Sequence, residues 1–187
     1  MIFKTHLPDI NFIIISEEPN YGRFKFTKNS ILSNYGEKSS VSCVFSKNSK
    51  ENVNLYKNEV KTKVIKNKNI LELVNEGIKD SNKDWNLIIC EGIWIKPNVD
   101  KKYSSFIESE MDVLFPISYE SDINGKIFNL KTNFIDCSFN GLLINKSCFN
   151  KVGNFESGEL KESKLEWNLR AIDKKCVFKS ILGLKLS

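Results

Sequence analysis

Histidine is nearly absent from this chain. Its 187 residues include one, His6, and this excludes every site that needs two imidazoles: paired-histidine zinc centres, the HExxH helix and the facial triad of non-haem iron. Proton transfer then falls to carboxylates, lysine, cysteine or tyrosine. The five cysteines, Cys43, Cys90, Cys137, Cys148 and Cys176, form no CxxC or CxH pair, so zinc ribbons and thioredoxin-like motifs are excluded as well. Cys43, Cys90 and Cys176 sit inside apolar runs and read as buried, reduced thiols. No apolar run approaches the ~18 residues of a membrane-spanning helix. Met1 to Leu7 has no apolar core ahead of a small-residue cleavage site. These absences predict a cytoplasmic protein without a transmembrane segment.

Strong charge of either sign is lacking too. Lys+Arg number 28 against 23 Asp+Glu, a net +5 with an isoelectric point near 8.8. The densest lysine run, Lys57 to Lys68, is interrupted by Glu59, Val60, Val64 and Ile65; it reads as a solvated face, not a phosphate-tracking stripe. No nucleic-acid partner is expected. What the chain does have is a 41% hydrophobic and 11% aromatic content, too much for a disordered segment. Its length suits one domain at roughly 150 residues per domain, and such a domain buries about 70% of its unfolded surface. No internal repeat or Pro/Gly/Ser linker divides it, so residues 1–187 are read as one unit with halves at 1–95 and 96–187.

Apolar runs alternate with helical periods. Asn11–Ser16, Ser40–Phe45 and Trp85–Cys90 are strands apolar on both faces, as in a parallel sheet. A shorter strand is predicted around Val60–Ile65, another over Val113–Ser118, and a partly exposed hairpin over Ile127–Leu130 and Phe134–Asp136. Gly141–Ile144 and Cys176–Ile181 complete the strands. Helices are predicted over Thr27–Asn34 (Thr27 as N-cap, Gly36 as terminator), Asn69–Lys79, Lys146–Val152 and Lys161–Ile172. In the last of these, Leu165, Leu169 and Ile172 form the apolar face. The strand–helix–strand order predicts a right-handed parallel α/β sheet. Ligands bind such sheets beyond the carboxyl ends of the strands, which directs attention to Ser16-Glu17-Glu18, Ser46-Lys47-Asn48 and Cys90-Glu91-Gly92.

In order and spacing these segments resemble a known family. The opening strand with its helix (FIIISEEPN…KNSILSN), the second strand with its polar exit (SVSCVFSKNSKEN), and Asn75-Glu-Gly77-Ile78…Asp84-Trp-Asn-Leu-Ile-Ile-Cys90-Glu91-Gly92 are similar to the first half of family-2 glycosyltransferases. Phe139-Asn-Gly141-Leu-Leu-Ile-Asn-Lys-Ser-Cys-Phe149-Asn-Lys-Val-Gly153-Asn-Phe155 and Lys164-Leu-Glu166-Trp-Asn-Leu-Arg170 resemble the second. The resemblance implies a GT-A-like, Rossmann-like three-layer α/β sandwich with a mostly parallel sheet flanked by helices. It implies transfer of a sugar from a nucleotide-sugar, UDP-type first, to a glycan or other hydroxyl acceptor. It places the nucleotide at Ser16, Glu17, Ser46, Lys47, Asn75, Gly77, Cys90, Glu91 and Gly92, and the acceptor at Trp94, Gly141, Trp167 and Arg170. Glu166, or Glu162 one turn earlier, would be the general base.

The resemblance breaks where the family holds its Mn or Mg. In place of Asp-x-Asp stand Cys90-Glu91-Gly92. One carboxylate, Glu91, is a poor site for a hard cation, and a thiol prefers softer ions. Metal dependence is therefore expected to be weak or absent, with Lys47, Lys96 or Lys164 as substitute cations for the diphosphate. Lys164 also replaces the first acid of the acceptor-side motif, and Glu166 has an alternative role as an i,i+4 ion pair with Arg170. Since the chain stops at Ser187, where the family continues into acceptor-side helices, a shallow acceptor pocket, or one completed by a second subunit, is expected. The alternative function is a non-catalytic GT-A-like protein that binds a nucleotide, glycan or protein partner.

Overall fold

Ile10–Ser16 forms β1, and every residue but the last is buried. Apart from Asn11 and Ser16 it is apolar, because both faces are covered. Phe12 and Ile14 pack on one side with Phe24, Ile31 and Tyr56, while Ile13 and Ile15 pack on the other with Leu73, Val74 and Ile78. The computed structural model describes residues 9–36, 39–46, 53–66, 68–95, 107, 110–121, 127–131 and 133–181. In chain order the elements are β1, α1 (Tyr21–Tyr35), β2 (Ser40–Ser46), α2 (Val53–Lys57), β3 (Lys61–Ile65), α3 (Ile70–Asp80), β4 (Trp85–Cys90), β5 (Val113–Pro116), β6 (Ser118–Ser121), β7 (Ile127–Lys131), β8 (Leu142–Asn145), α4 (Lys146–Val152), α5 (Leu160–Asp173) and β9 (Phe178–Ile181).

Seven strands form one sheet in the order β3-β2-β1-β4-β8-β5-β9. β3, β2, β1 and β4 are mutually parallel. β8 runs against both β4 and β5, and β5 is again parallel to β9, so β8 is the one reversed strand. β6 and β7 form a separate antiparallel ribbon. With α1 and α2 on one face and α3, α4 and α5 on the other, the chain is a three-layer α/β sandwich with a mostly parallel sheet. Among the described residues no helix is long and apolar enough to cross a membrane.

Residues 75–78 show why this sequence closes the first half so tightly. Gly77 lies where α3 crosses β1; a Cβ there would stand 2.6 Å from Ile13 Cγ2. Asn75, two residues earlier and buried, donates to the Phe155 carbonyl at 2.8 Å and accepts from the Phe155 amide at 2.9 Å. α3 itself starts on a capping box: Asn69 accepts from the Glu72 amide, and Glu72 accepts from the Asn69 amide. This satisfies two amide donors at the helix start.

Several elements depart from the sequence expectation. α1 begins at Tyr21, capped by Asn20, whose side chain accepts from the Arg23 amide at 3.1 Å. Thr27, expected as the cap, lies inside the helix. Its hydroxyl accepts from the Ile93 amide and that of Ser30 from the Ile95 amide, both at 3.0 Å. The polar stripe on α1 thus serves to fasten the loop after β4. Phe134–Asp136 is a turn, and Ile127–Lys131 pairs with Ser118–Ser121. The short helix α2 had no clear periodic signal. α5 is turned about its axis relative to expectation: Leu165, Leu169 and Ile172 face solvent, while Ser163, Lys164, Trp167 and Ala171 face the core. Trp167 decides this. It stacks on Phe155 at 4.7 Å between centroids and its Nε1 donates to the Gly153 carbonyl at 2.8 Å. The core side of α5 is thus filled by a buried aromatic with a satisfied polar tip, and the three aliphatics stay at the surface.

Candidate nucleotide cavity

The carboxyl ends of β1, β2 and β4 open onto a cavity of about 690 Å³, within the range of small-molecule sites. Ser16, Glu17 and Glu18 follow β1, Ser46 ends β2, Cys90 and Glu91 close β4, and Arg23, Lys68, Asn69 and Ile70 come from the starts of α1 and α3. Two helix N-termini therefore face the opening, each a natural anion site. Both already hold a carboxylate from this chain. Glu91 accepts from the Asn20 amide at 3.0 and 3.2 Å, and Glu17 accepts from the Ile70 amide at 3.0 Å.

Glu91 is almost enclosed, with 6% of its side chain exposed, and lies 3.1 Å from Arg23 Nη2. Burial raises its pKa, and the raising effect prevails over a hydrogen bond from Ser16, the Arg23 charge and the Asn20 amide. Next to it burial pushes the Cys90 thiol up to about 11, with Glu17 and Glu91 adding to the effect, so Cys90 is a neutral thiol at physiological pH. The Cys90 amide donates to Asn140 Oδ1 at 2.7 Å. Gly92 follows at φ +87°, and a Cβ there would press on Arg23 Cδ at 3.4 Å. The turn after β4 thus favours glycine for its left-handed backbone.

The Cys90-Glu91-Gly92 turn, where the family resemblance implies a divalent cation, does not by itself offer that ion a fitting donor set. A hard cation takes six or more oxygens, with at least one free carboxylate. Here the Glu91 oxygens are committed to amides and to a guanidinium, Cys90 is a neutral sulfur and Gly92 carries no ligand. Arg23 occupies the neighbourhood with a fixed positive charge.

The structure gathers Ser16, Glu17, Ser46, Cys90 and Glu91 around the cavity, with Gly92 in the adjoining turn. Lys47 and Lys96 lie outside the described residues. Asn75 and Gly77 are buried within the fold, as described above. Trp94 is 36% exposed and packs on Phe26 with centroids 5.4 Å apart, and Gly141 immediately precedes β8 with its amide on the Ile88 carbonyl. Neither lines the cavity. Trp167 is fully buried, so its ring has no face free for a sugar. Lys164 is also in the core, 1% exposed; its ammonium donates to the Cys137 carbonyl and sits 5.1 and 5.4 Å from the Phe134 and Phe139 ring centres. Burial lowers its pKa to about 8. Glu166 makes the i,i+4 pair: Arg170 Nε and Nη2 both donate to it, while Arg170 also donates to the Val152 and Asn154 carbonyls at 2.6 Å. Glu162 is exposed in the first turn of α5. Sequence reasoning missed Arg23 and Lys68. The signal available for both was their place at the start of a helix that follows a strand.

No protein-family profile and no curated protein sequence matches the chain. Among solved structures it is similar to S. aureus TarS 1-349, with a TM-score of 0.59 and 14% identity over 96% of this chain and 59% of that one. The shared fold is a Rossmann-like α/β sandwich with a mostly parallel central sheet flanked by helices. At that identity the likeness is one of fold alone, and this chain spans less than two thirds of the TarS structure.

Proposed function

We propose that the cavity binds a nucleotide-sugar and that the chain takes part in glycosyl transfer to a hydroxyl acceptor, the donor diphosphate being neutralised by protein cations and helix amides. The observation that supports this most is the position of Arg23. Its guanidinium borders a 690 Å³ opening at the strand carboxyl ends, beside two helix N-termini. In the transfer the acceptor oxygen bonds to the anomeric carbon as the bond from that carbon to the diphosphate oxygen breaks. The diphosphate leaves with the electron pair, and the acceptor hydroxyl gives its proton to a base. Arg23, with Lys68 across the opening, supplies the positive charge that the departing diphosphate requires. In this reading Glu17 and Glu18, which line the cavity, accept from ribose hydroxyls. The test is calorimetric titration of UDP, UDP-sugars and their GDP and CMP counterparts, with manganese and with a chelator. Binding that persists under chelation, together with slow release of free sugar, supports the proposal. The absence of binding to any nucleotide overturns it.

A non-catalytic reading is favoured by one observation, the engagement of both Glu166 oxygens by Arg170. All described cavity-lining residues lie between Ile15 and Glu91, and none comes from the second half. Nucleotide binding without hydrolysis or transfer would select this alternative, in which the chain is a nucleotide or glycan sensor. Glu166→Gln separates the two. Loss of a measurable turnover at unchanged nucleotide affinity assigns Glu166 as the base of an active transferase, whereas parent and variant that both bind nucleotide and both lack turnover select the non-catalytic reading.

A further inference from the structure

On the opposite side of the sheet from α1, two cysteines distant in sequence meet. Cys148 is on α4, 2% exposed, and Cys176 is in the turn that leads from α5 to β9, 9% exposed. Their sulfurs are 2.9 Å apart, with Cys148 Sγ donating to Cys176 Sγ. That is inside the ~3.6 Å at which two unbonded sulfurs ordinarily touch, and the next step inward is the ~2.05 Å covalent bond. The Cys176 backbone is fixed by its amide on the Ala171 carbonyl at 2.9 Å, so the approach is built by the fold. Asp112 completes the cluster. Its carboxylate lies within 4.8 Å of both sulfurs and accepts from the Val177 amide at 2.9 Å.

We propose that Cys148 and Cys176 are a dithiol–disulfide pair, closed by a small-molecule disulfide such as oxidised glutathione and opened by thiol reductants. Cys176, the less buried residue of the two, attacks as its thiolate one sulfur of the small disulfide, which expels one small thiolate, the thiol proton passing to solvent. Cys148, deprotonated in turn, attacks the Cys176 sulfur and expels the second. Two protein thiols are oxidised, one disulfide is reduced to two thiols, and the protein loses two hydrogens. Burial, then the hydrogen bond to Cys176 and, to a smaller extent, the Asp112 charge hold the Cys148 thiol well above the ordinary range, so the reduced form gains nothing from a stabilised thiolate. This is the reverse of strongly oxidising dithiols, whose reduced state is the stabilised one. The bond joins α4 to the start of edge strand β9 and touches no residue of the cavity.

The folded protein is incubated with oxidised glutathione at pH 8 and then denatured for thiol titration and peptide mass mapping. The expected result is loss of two of the five free thiols, a mass decrease of about 2 Da with no retained adduct, and a single cross-linked peptide pair containing Cys148 and Cys176. Cys148→Ser and Cys176→Ser each abolish the cross-link. The oxidised protein unfolds at a higher urea midpoint than the reduced one, a shift that dithiothreitol reverses and that neither serine variant shows. A stable glutathione adduct, a cross-link to Cys43, Cys90 or Cys137, or one zinc ion per chain whose removal by chelator lowers the urea midpoint, overturns the proposal. Nucleotide titration of the oxidised form is the independent control, and its outcome bears on the cavity, not on this pair.

Discussion

The Glu91 carboxylate and the Arg23 guanidinium form an ion pair 3.1 Å long at the mouth of the cavity. Arg23 is 56% exposed along its side chain, so truncating it leaves the fold intact and removes the cation. A hydrogen bond to a charged group is worth about 1.5–3 kcal/mol, and Arg23→Ala should therefore weaken nucleoside diphosphate binding at least ~10-fold. Glu91→Gln should act in the opposite direction. It removes an anion that costs a phosphate about 1 kcal/mol at 4 Å in water, and affinity should rise roughly fivefold. Weaker, manganese-sensitive binding by Glu91→Gln would mean that Glu91 is a metal ligand after all. Calorimetry on the three proteins decides.

Gly77 and Asn75 make a pair of stability predictions. In Gly77→Ala the new methyl group meets Ile13 Cγ2 at 2.6 Å. The strain of overpacking, ~1–3 kcal/mol, exceeds the ~1 kcal/mol gained in helix propensity, and the urea midpoint should fall. Asn75→Ala leaves the Phe155 amide and carbonyl without their partner in the interior, at about 2–4 kcal/mol. Should either variant match the parent in equilibrium unfolding, the packing of α3 on β1 is looser than described.

The orientation of α5 can be checked by two substitutions only two residues apart, at Trp167 and Leu169. Leu169, 56% exposed, should tolerate Lys at a cost within ~0.5 kcal/mol. Trp167→Ala should cost ~3–5 kcal/mol. A large loss in Leu169→Lys would restore the expected apolar face.

These residues also show what the sequence could disclose. β1, β2 and β4 were legible because strands covered on both faces are continuous apolar runs, and α3 because Asn69 and Glu72 announce its start. Asn75-Glu-Gly77-Ile78 was legible as a motif, but its reason is structural: a tether and a close approach, not a nucleotide contact. α5 was misread because Leu165, Leu169 and Ile172 repeat at helical spacing as well as Ser163, Trp167 and Ala171 do. Periodicity identifies a face without saying which way it points. Arg23 and Lys68 were missed since a helix-start cation in sequence looks like any surface cation. Only the opening beyond β1, β2 and β4 distinguishes them.

Lys164 gives a prediction in pH. Its folded-state pKa is lowered from 10.5 to about 8 by burial, so between those values the unfolded chain binds the proton that the folded one lacks, and its contribution to stability rises with pH. Relative to Lys164→Met, the parent protein should gain stability as pH climbs from about 8 to 10.5, by about 3 kcal/mol across the full span at 1.36 kcal/mol per pKa unit. A difference curve that is flat over this range would place the ammonium in water.

β8, the one reversed strand, sets a constraint on biosynthesis. Its insertion means that β4 has no neighbour on one side until the stretch around Asn140, 50 residues beyond Cys90, has left the ribosome. Until then the apolar run Trp85–Cys90 presents an open backbone edge, the kind of template that pairs with other chains. Expression yield should therefore respond to translation speed across the segment between β4 and β8 more than to codon changes elsewhere.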